Sequence, residues 1–429
     1  MNTQTEDTPK SSVPKPSVIV AGGGIVGLAC AHSLVQSGYD VTVIDQGTIG
    51  GECSHGNCGY ICPSHVAPLT EPGAFRVAFR SLFNPQSPFR VKPRLSPALL
   101  RWMMQFARRC THKQVLSAGM HLQTILNASM AEYRALMATE QLACEWEEKG
   151  LLYVFENHRP LEAFAAEDRL LTEHFGLSAT RIAAADLTDF EPGLKPGLAG
   201  GFHYSGDASV RPDRLNASWC ERLRERGVRF RERCVLQRVL RQGKRIEGLE
   251  TSQGRLSADR YVFALGARST LWSRQLGISI PIEPGKGYSL TMPRPEHCPS
   301  HPILFPEQRV GVSPFEHGMR LGSMMEFAGY DTTIPRHRLR QLRDAARRYL
   351  VASVDAPAEE TWFGWRPMTW DSLPIIGPVP GLANSFLATG HNMIGVTLAP
   401  ATGRLMADLV SGRTPFIDAA PYAPTRFGR

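Results

Sequence analysis

With 429 residues, of which 42% are hydrophobic and 21% charged, the chain is long enough for two domains and has the composition of an ordinary globular protein. No apolar run approaches the about 18 residues that a membrane-spanning helix needs, which argues against an integral membrane protein. A net charge of +8 and nine cysteines, without an apolar leader, predict a cytoplasmic protein with reduced thiols. Residues 1–16 are polar and contain prolines, a pattern that predicts a disordered lead-in.

The positive charge is concentrated in residues 75–115, because no acidic residue occurs between Glu71 and Glu132. Two interpretations stay open. The segment is either the solvated basic face of amphipathic helices or a surface that docks on anionic lipid, which would place the protein peripherally on the inner face of the membrane. No nucleic-acid-binding motif accompanies the charge, so no nucleic-acid partner is predicted.

The first strong pattern is a βαβ unit in the sequence SVIVAGGGIVGLACAHSLVQSGYDVTVID. The glycines make a tight turn, let the backbone approach a pyrophosphate and let the helix pack on the strand, while the helix N-terminus supplies N–H groups to the phosphates. The acid at the end of the second strand would accept hydrogen bonds from the ribose. The parts are a strand at 18–21, Gly22, Gly24 and Gly27, a helix at 26–37, a strand at 41–44, and Asp45.

Two further glycine-marked loops follow apolar strands, at Gly266 and at 390–395. Ligands bind at the carboxyl ends of strands in a doubly wound sheet, so one large dinucleotide served by all three loops is the economical interpretation. Spacing alone leaves FAD or NAD open. The chain has one full glycine fingerprint and no second one for a nicotinamide cofactor, which favours FAD.

The rest of the chain alternates between helical and strand-like patterns. The helical region 70–190 contains a strand-like stretch at 151–155, and short strands begin near 200. A basic helix is predicted near 336–351, and a strand at 385–388 leads into a helix at 398–409.

The chain resembles the FAD-dependent D-amino-acid oxidase superfamily, most closely its bacterial D-amino-acid dehydrogenases, over residues 17–418. The resemblance rests on the βαβ unit and on GNCGYICPSHVAPLTEPG, PGKGYSLTMP, GWRPMTWDSLPIIG and ATGHNMIGVTLAPATGRLMADLVSGRTP. It implies an α/β fold, with a Rossmann-like FAD-binding domain and a discontinuous mixed-sheet α+β substrate domain. The implied segments are 17–69, 195–280 and 365–415 for the FAD-binding domain, 70–194 and 281–364 for the substrate domain, and 416–429 for a tail.

The activity that the resemblance implies is oxidative deamination of D-amino acids to 2-oxo acids and ammonia. Hydride passes to the flavin, and the electrons then go to a quinone or another respiratory carrier. One alternative is an oxygen-using oxidase of glycine, sarcosine or a cyclic imino acid such as hydroxy-D-proline. Another is a flavin-carrying electron-transfer subunit without its own substrate. Several oxidases of the superfamily have a substrate-binding tyrosine near residues 308–314. Its absence here favours the dehydrogenase branch, or a bulkier or cyclic substrate.

Candidate site residues follow from these motifs. Arg366 is the predicted anchor of the substrate carboxylate, because a guanidinium fork matches a carboxylate bidentately. His391 and Tyr288 are further catalytic candidates. A hydrogen-bonding role is favoured for His391, a buried strand tyrosine is the equal alternative for Tyr288, and Lys286 is interpreted as a solvated lysine. The predicted cofactor contacts are Gly22, Gly24, Ile25, Val26, Gly27, Asp45, Gln46, Gly56, Asn57, Cys58, Gly59, Val235, Gly266, Gly390, Asn392, Met393, Ile394, Gly395, Val396 and Thr397.

The stretch GECSHGNCGYICPSHVAPL gathers potential metal ligands, namely Cys53, His55, Cys58, Cys62 and His65. Its C-x4-C-x3-C spacing matches neither ferredoxin nor structural zinc patterns, and no metal is predicted. Its position after the second strand predicts a loop that covers the flavin, with cysteine as a small packing residue. Some relatives attach flavin covalently through a histidine near this point, so a bond to His55 is a minor alternative.

Overall fold

A computed structural model describes residues 15–71, 73 and 87–428. Most of the predicted lead-in, and Arg76 and Arg80 of the basic segment, lie outside the described residues.

The strands and helices alternate along the chain, as the sequence pattern predicts. The strands are β1 (Ser17–Ala21), β2 (Asp40–Ile44), β3 (Tyr60–Ile61), β4 (Phe89–Val91), β5 (Leu151–Phe155), β6 (Thr180–Ala183), β7 (Gly200–Tyr204), β8 (Ala208–Ser209), β9 (Arg229–Arg231), β10 (Leu236–Gln242), β11 (Arg245–Thr251), β12 (Gly254–Leu256), β13 (Arg260–Phe263), β14 (Ile282–Pro293), β15 (Ile303–Phe305), β16 (Val310–Phe315), β17 (Gly318–Phe327), β18 (Glu360–Thr369), β19 (Ile375–Pro378) and β20 (Ser385–Thr389). The α-helices are α1 (Ile25–Gln36), α2 (Pro97–Arg109), α3 (His112–Glu140), α4 (His158–Phe175), α5 (Leu187–Phe190), α6 (Pro212–Glu225), α7 (Ser273–Leu276), α8 (Arg336–Tyr349) and α9 (Gly395–Ser411). Short 3-10 helices cover Gly266–Trp272, Ala420–Tyr422 and Pro424–Phe427.

A six-stranded sheet has the order β19-β20-β13-β1-β2-β9 and is parallel except at β19. Alternate residues of β1 face opposite sides, as strand geometry requires. Val18 and Val20 join the core formed with α1, α3 and α9, whereas Ile19 and Ala21 join the core beneath the β10-β11-β12 sheet. Both faces of the parallel sheet are therefore covered, which leaves the carboxyl ends of its strands for a ligand.

Helices α1 and α9 cross closely on this sheet. A Cβ atom at Gly403 of α9 would lie 2.3 Å from the carbonyl oxygen of Ala29 in α1. The glycine therefore lets the two helices approach, and the N-terminus of each is held at the same edge of the sheet.

The second sheet has nine strands in the order β18-β14-β17-β16-β15-β5-β7-β6, with β4 paired to β17. It is mixed, because β15 pairs with β5 and β17 pairs with β4 in parallel, whereas the other pairs are antiparallel. Helix α8 packs on it through Leu342 and Tyr349.

This architecture confirms the predicted fold class: a parallel sheet of the Rossmann type beside a mixed sheet. Two strands depart from the predicted segments. Strand β7 was expected in the FAD-binding part but pairs with β5 and β6 in the mixed sheet. Strand β18 starts at Glu360, before the boundary expected at 365, because it pairs along β14 from Thr291 to Ile282. The domain boundaries themselves stay a prediction.

Candidate functional site

A long cavity runs across the carboxyl ends of β1, β2, β13 and β20. Its empty volume is about 1220 Å³, open solvent at its mouth included. We call it the dinucleotide cavity. The residues that line it are Ala21, Gly22, Gly24, Ile25, Val26, Ile44, Asp45, Gln46, Glu52, Cys53, Ser54, Asn57, Cys234, Leu236, Ala264, Leu265, Gly266, Ala267, Arg268, Trp272, Trp365, Arg366, Pro367, Ala388, Thr389, His391, Asn392, Met393, Gly395 and Val396.

The first glycine loop is shaped by close backbone contacts. Gly22 has a φ of +109°, and a Cβ there would lie 2.3 Å from the carbonyl oxygen of Ala264. A Cβ at Gly27 would lie 1.9 Å from the carbonyl oxygen of Gly22. At Gly24, by contrast, the nearest atom is the Ser54 hydroxyl at 3.5 Å. Gly22 and Gly27 are therefore needed by the fold, whereas Gly24 leaves open space at the N-terminus of α1.

Asp45 closes one end of the cavity. Its carboxylate oxygens accept hydrogen bonds from the backbone N–H of Gly23 (2.7 Å) and of Gly47 (2.8 Å). These bonds fix the carboxylate beside the glycine loop, where its remaining lone pairs can accept hydroxyl donors. This geometry suits a ribose.

The loop before α9 closes the other end. Gly390 and Asn392 have positive φ angles of 72° and 51°. The Asn392 backbone N–H donates to the carbonyl oxygen of Pro367 (3.1 Å), and its side-chain oxygen accepts from the Thr369 N–H (2.9 Å). The N-terminus of α9 is thereby tied to the strand that carries Arg366. Since a helix N-terminus favours negative charge, this end of the cavity suits an anionic group.

His391 lines the cavity but is held as a neutral side chain. Burial lowers its pKa to about 3, and its Nε2 lies 2.9 Å from the hydroxyl oxygen of Thr402 in α9. The imidazole therefore connects the loop to the helix. This arrangement favours the hydrogen-bonding role over proton transfer.

Arg366 lies on the cavity wall, half-buried, with its guanidinium NH1 donating to the carbonyl oxygen of Met324 (2.7 Å). Burial lowers its pKa, and the nearby thiols of Cys53 and Cys58, whose own pKa values are raised by burial, supply no counter-charge. Among the residues that the structure describes, no carboxylate pairs with it. A guanidinium kept from water without a counter-charge is suited to bind an anion.

Gly287 on β14 makes room for this guanidinium. A Cβ there would lie 2.3 Å from NH1 of Arg366 and 2.5 Å from NH2. The absence of a side chain at residue 287 therefore determines where the fork lies.

A loop over residues 51–62 covers the cavity and supplies four of its lining residues. Ser54 accepts a hydrogen bond from the Ile25 N–H at the start of α1 (3.0 Å). Arg320, only 1% exposed, donates through NH1 to the carbonyl oxygens of His55 (3.0 Å) and Asn57 (2.9 Å). The larger sheet therefore holds this loop against the nucleotide sheet.

An ion pair also holds this loop: Nε2 of His55 lies 2.6 Å from Oε1 of Glu360. The hydrogen bond to Glu360 raises the pKa of His55, against the opposing effect of burial. Arg320 also approaches Glu360, with NH2 at 3.4 Å from Oε2. Protonated His55 therefore stabilises the loop.

A pH dependence follows. Because the pKa of His55 is raised in the folded state, its contribution to stability is complete below the unfolded value of about 6.5 and is lost as the pH rises through the folded value. We expect His55→Gln to lower the melting temperature more at pH 6 than at pH 8, measured by calorimetry. The exposed His317→Gln is the control. A difference in melting temperature between wild type and His55→Gln that is the same at pH 6 and pH 8 would contradict this role.

The cysteines and histidines of this loop have separate environments. His65 Nε2 lies 2.6 Å from the Tyr153 hydroxyl, and Cys62 is fully buried. Cys53 lines the cavity, and burial raises its pKa to about 11. In the described part of the chain, no group of three His, Cys, Asp or Glu side chains is placed to hold a metal ion. His55 is not among the cavity-lining residues.

Some predicted contacts lie away from the cavity wall. Gly27, Gly59 and Gly390 shape the backbone instead, and Gly56 packs against the Trp362 ring, 2.2 Å from where its Cβ would be. Val235 is 42% exposed, although its neighbours Cys234 and Leu236 line the cavity. The others outside the lining are Cys58, Ile394 and Thr397.

Tyr288, expected as a catalytic candidate, is not among the lining residues either. Its hydroxyl donates to Oε2 of Glu326 (2.7 Å), and burial and this carboxylate raise its pKa. Lys286, expected to be solvated, is instead fully buried and donates to the carbonyl oxygen of Thr333. Alternation along β14 explains both, since these side chains point away from the face on which Gly287 meets Arg366.

Sequence patterns missed several lining residues. Cys53, Ser54, Trp365 and Pro367 adjoin predicted positions, so proximity to a motif is the signal that could have found them. Arg268 and Trp272 follow Gly266 in a 3-10 helix, and no local motif marks them.

The residues present fit a dinucleotide with a flavin. One cavity is lined by residues of the three glycine loops, of the N-termini of α1 and α9, and by the carboxylate of Asp45. At Gly24 no atom lies closer than 3.5 Å to where a Cβ would be, which leaves room for a ligand. Fold and site together define a dinucleotide-binding protein.

The chain belongs to the FAD-dependent oxidoreductase family DAO, whose family model matches residues 17–409. This confirms the predicted family and cofactor: the protein is an FAD-dependent oxidoreductase. It is 33% identical to a D-amino acid dehydrogenase of Granulibacter bethesdensis, over 96% of this chain and 99% of the relative. It is 34% identical to a D-amino acid dehydrogenase of Chromohalobacter salexigens, over 96% of this chain and 99% of the relative.

Solved structures have the same fold. Glycine oxidase from Geobacillus kaustophilus superposes with a TM-score of 0.77 at 21% identity, covering 96% of this chain and 99% of the other. L-proline dehydrogenase from P. horikoshii superposes with a TM-score of 0.70 at 21% identity, covering 96% and 98%.

Proposed function

We propose that the protein oxidises D-amino acids to imino acids, which hydrolyse to 2-oxo acids and ammonia. The observation that carries this proposal is the guanidinium of Arg366, half-buried on the cavity wall without a carboxylate partner in the described residues. An amino-acid carboxylate supplies the missing counter-charge. The full-length relatives named D-amino acid dehydrogenase support the same substrate class.

Each part of the site then has a role. Arg366 binds and orients the substrate carboxylate, and the loop tied to Pro367 sets the distance between substrate and cofactor. The N-terminus of α9 stabilises negative charge near Gly395. The glycine loop at Gly22 and Gly24, with Asp45, would hold FAD, which would supply a hydride acceptor for the substrate Cα. His391 is neutral and its Nε2 is hydrogen-bonded to Thr402, so we do not assign it as a base. Positioning is then the main catalytic device, and the substrate amine must bind unprotonated.

An anaerobic screen tests the substrate class. We expect D-amino acids to bleach the bound flavin, and L-amino acids and N-alkyl glycines to leave it oxidised. Bleaching by glycine or sarcosine alone would favour the oxidase alternative, and bleaching by no amino acid would favour an electron-transfer subunit.

We further propose that the electrons leave to a quinone or a similar carrier and not to oxygen. Residues 308–314, near which several oxidases have a substrate-binding tyrosine, contain none. The nearby Tyr60 hydroxyl donates to the carbonyl oxygens of Ile303 (2.9 Å) and Val312 (3.1 Å) and is held by the backbone of this sheet. Hydrogen peroxide yield, compared with reduction of a soluble quinone, distinguishes the acceptors.

Peripheral membrane contact through the basic segment is also part of the proposal, in a narrower form. Some of its charges are used internally: Arg90, Lys92 and Arg94 pair with Glu326, Asp331 and Glu283. Helix α2 differs, because it exposes an apolar strip beside cations. The strip is Leu100 (62% exposed) and Met104 (48%), with Leu95 just before the helix and Arg101 and Arg108 beside it. No helix in the described ranges is long and apolar enough to cross a bilayer.

This surface predicts salt-sensitive vesicle binding. We expect the protein to float with vesicles that contain phosphatidylglycerol at low salt and less at 0.5 M salt, because each surface cation contributes about 1 kcal/mol that salt screens. The double variant Leu100→Ser/Met104→Ser should float less, whereas Leu170→Ser, at an exposed leucine of α4 (44%), should behave as wild type. No flotation at low salt would remove the membrane role.

A further inference from the structure

A second cavity lies beside the dinucleotide cavity and shares Asn392 and Met393 with it. Segment 64–71 and helices α3 and α4 form its other walls. The residues that line it are Ser64, His65, Ala67, Pro68, Leu69, Glu71, Leu122, Tyr153, Phe164, Glu167, Leu171, Tyr204, Leu304, Ser372, Asn392, Met393 and Ile394. The loop that faces the cofactor is thus the partition between two cavities.

The charge of the second cavity is negative. Its charged lining residues, among those described, are Glu71 and Glu167. His65 adds no positive charge, since burial lowers its pKa to about 4. The pKa of Glu167 is raised to about 7, first by burial and then by the charges of Glu71 and Asp168. Arg309 is the cation near Glu71, and it does not line the cavity. Two carboxylates therefore face one partly desolvated space.

The polar and aromatic groups of this wall suit a cation on a hydrocarbon stem. Ser372 is 4% exposed, has a positive φ of 64°, and its hydroxyl has no hydrogen-bond partner among the residues that the structure describes. The rings of Tyr153 and Phe164 stack with centroids 5.0 Å apart. Aromatic faces attract cations and pack against methylenes, while the hydroxyl and carboxylates accept N–H donors. A buried hydroxyl without a partner in the described residues, on a cavity wall that also has two carboxylates, suits a hydrogen-bond donor supplied by a ligand.

We propose that the second cavity is a side-chain subsite for the positively charged end of a basic amino acid, with Glu167 as its principal counter-charge. This inference rests on the proposed function, because it takes the carboxylate of the same substrate to be bound by Arg366. In the dinucleotide cavity Asp45 accepts backbone N–H bonds and Glu52 lies 3.8 Å from Arg268, so Arg366 is the lining cation without a carboxylate partner among the described residues. The described charged residues of the second cavity are two carboxylates. Met393 lines both cavities.

The test compares substrates of similar length in the flavin-loaded enzyme. Wild type should oxidise D-lysine and D-arginine with kcat/KM at least equal to that of D-methionine. Glu167→Gln should lower kcat/KM about tenfold for the two basic substrates, mainly through KM, and leave D-methionine and D-alanine within about twofold. Glu173→Gln, an exposed acid on the same helix, is the matched control and should change none of them. A thermal melt of each variant shows that the protein is folded.

The outcomes separate this inference from the proposed function. Oxidation of D-alanine but not of D-lysine would overturn the subsite and leave the proposed function intact. Equal loss for basic and neutral substrates in Glu167→Gln would also overturn it. If Glu167→Gln changes the KM for a short-chain quinone but leaves D-lysine kinetics unchanged, the cavity would be assigned to the electron acceptor instead. Failure of every amino acid to bleach the flavin would remove the proposed function itself.

Discussion

Arg366→Ala is expected to lower kcat/KM for D-amino acids by roughly 30- to 5,000-fold, because removing one partner of a desolvated charge pair costs about 2–5 kcal/mol. Arg366→Lys keeps the charge but loses the fork, and should recover only part of the activity. Flavin binding should persist in both variants, since the guanidinium contacts Met324 and not the glycine loop. Stopped-flow bleaching with D-alanine measures the loss.

Two comparisons make this result specific to the position of the guanidinium. Gly287→Ala places a Cβ 2.3 Å from NH1 of Arg366 and should raise KM about tenfold without removing any charge. Gly206→Ala, whose Cβ would have no atom within 4 Å, should leave KM unchanged. Arg255→Lys changes an exposed arginine and should leave catalysis as in wild type. An unchanged KM in Arg366→Ala would refute the carboxylate assignment.

Gly24→Val is expected to yield folded protein that has lost its flavin. The nearest protein atom to a Cβ at residue 24 is 3.5 Å away, and the backbone angles there (φ −71°, ψ 177°) suit a valine. The fold should therefore lose no more than about 1 kcal/mol, as for other apolar residues at a helix N-cap. The side chain would instead fill the space at the N-terminus of α1 that a pyrophosphate needs. We expect FAD affinity to fall at least about 100-fold, or about 2.7 kcal/mol.

Gly27→Ala provides the contrast, because its Cβ would lie 1.9 Å from the carbonyl oxygen of Gly22. This variant should melt at a lower temperature even without flavin. Calorimetry of the flavin-free proteins and fluorescence titration with FAD distinguish the two effects. Normal flavin content in Gly24→Val would contradict the placement of the pyrophosphate.

The nucleotide-binding end of the cavity could be predicted because its determinants are local. Gly22, Gly24 and Asp45 lie within a single βαβ unit, and the constraints on them come from a strand, a turn and a helix that are adjacent in sequence. The predicted start of α9 was less exact. The helix begins at Gly395 and not at 398, because the backbone of Asn392 is held by Pro367 of β18.

The flavin-covering loop shows where local reasoning ends. Residues 53–65 gather potential ligands, but their spacing predicts no metal, and sequence gives no partner for the histidines. The partners are distant: Glu360 for His55 and Tyr153 for His65. Arg320, which holds the loop, has no motif around it and acts through contacts to carbonyl oxygens. Such contacts depend on how two sheets meet.

The sequence by itself identified the family by resemblance, and FAD with it. It also located the glycine loops, since spacing along a βαβ unit fixes backbone conformation and hence phosphate binding. Only the tertiary structure decided the environments of charged groups. Within the described part of the chain it left Arg366 without a carboxylate partner, and it buried Lys286 and placed Glu167 on a second cavity. Charge pairing and desolvation are set by residues far apart in the chain, so no local pattern encodes them.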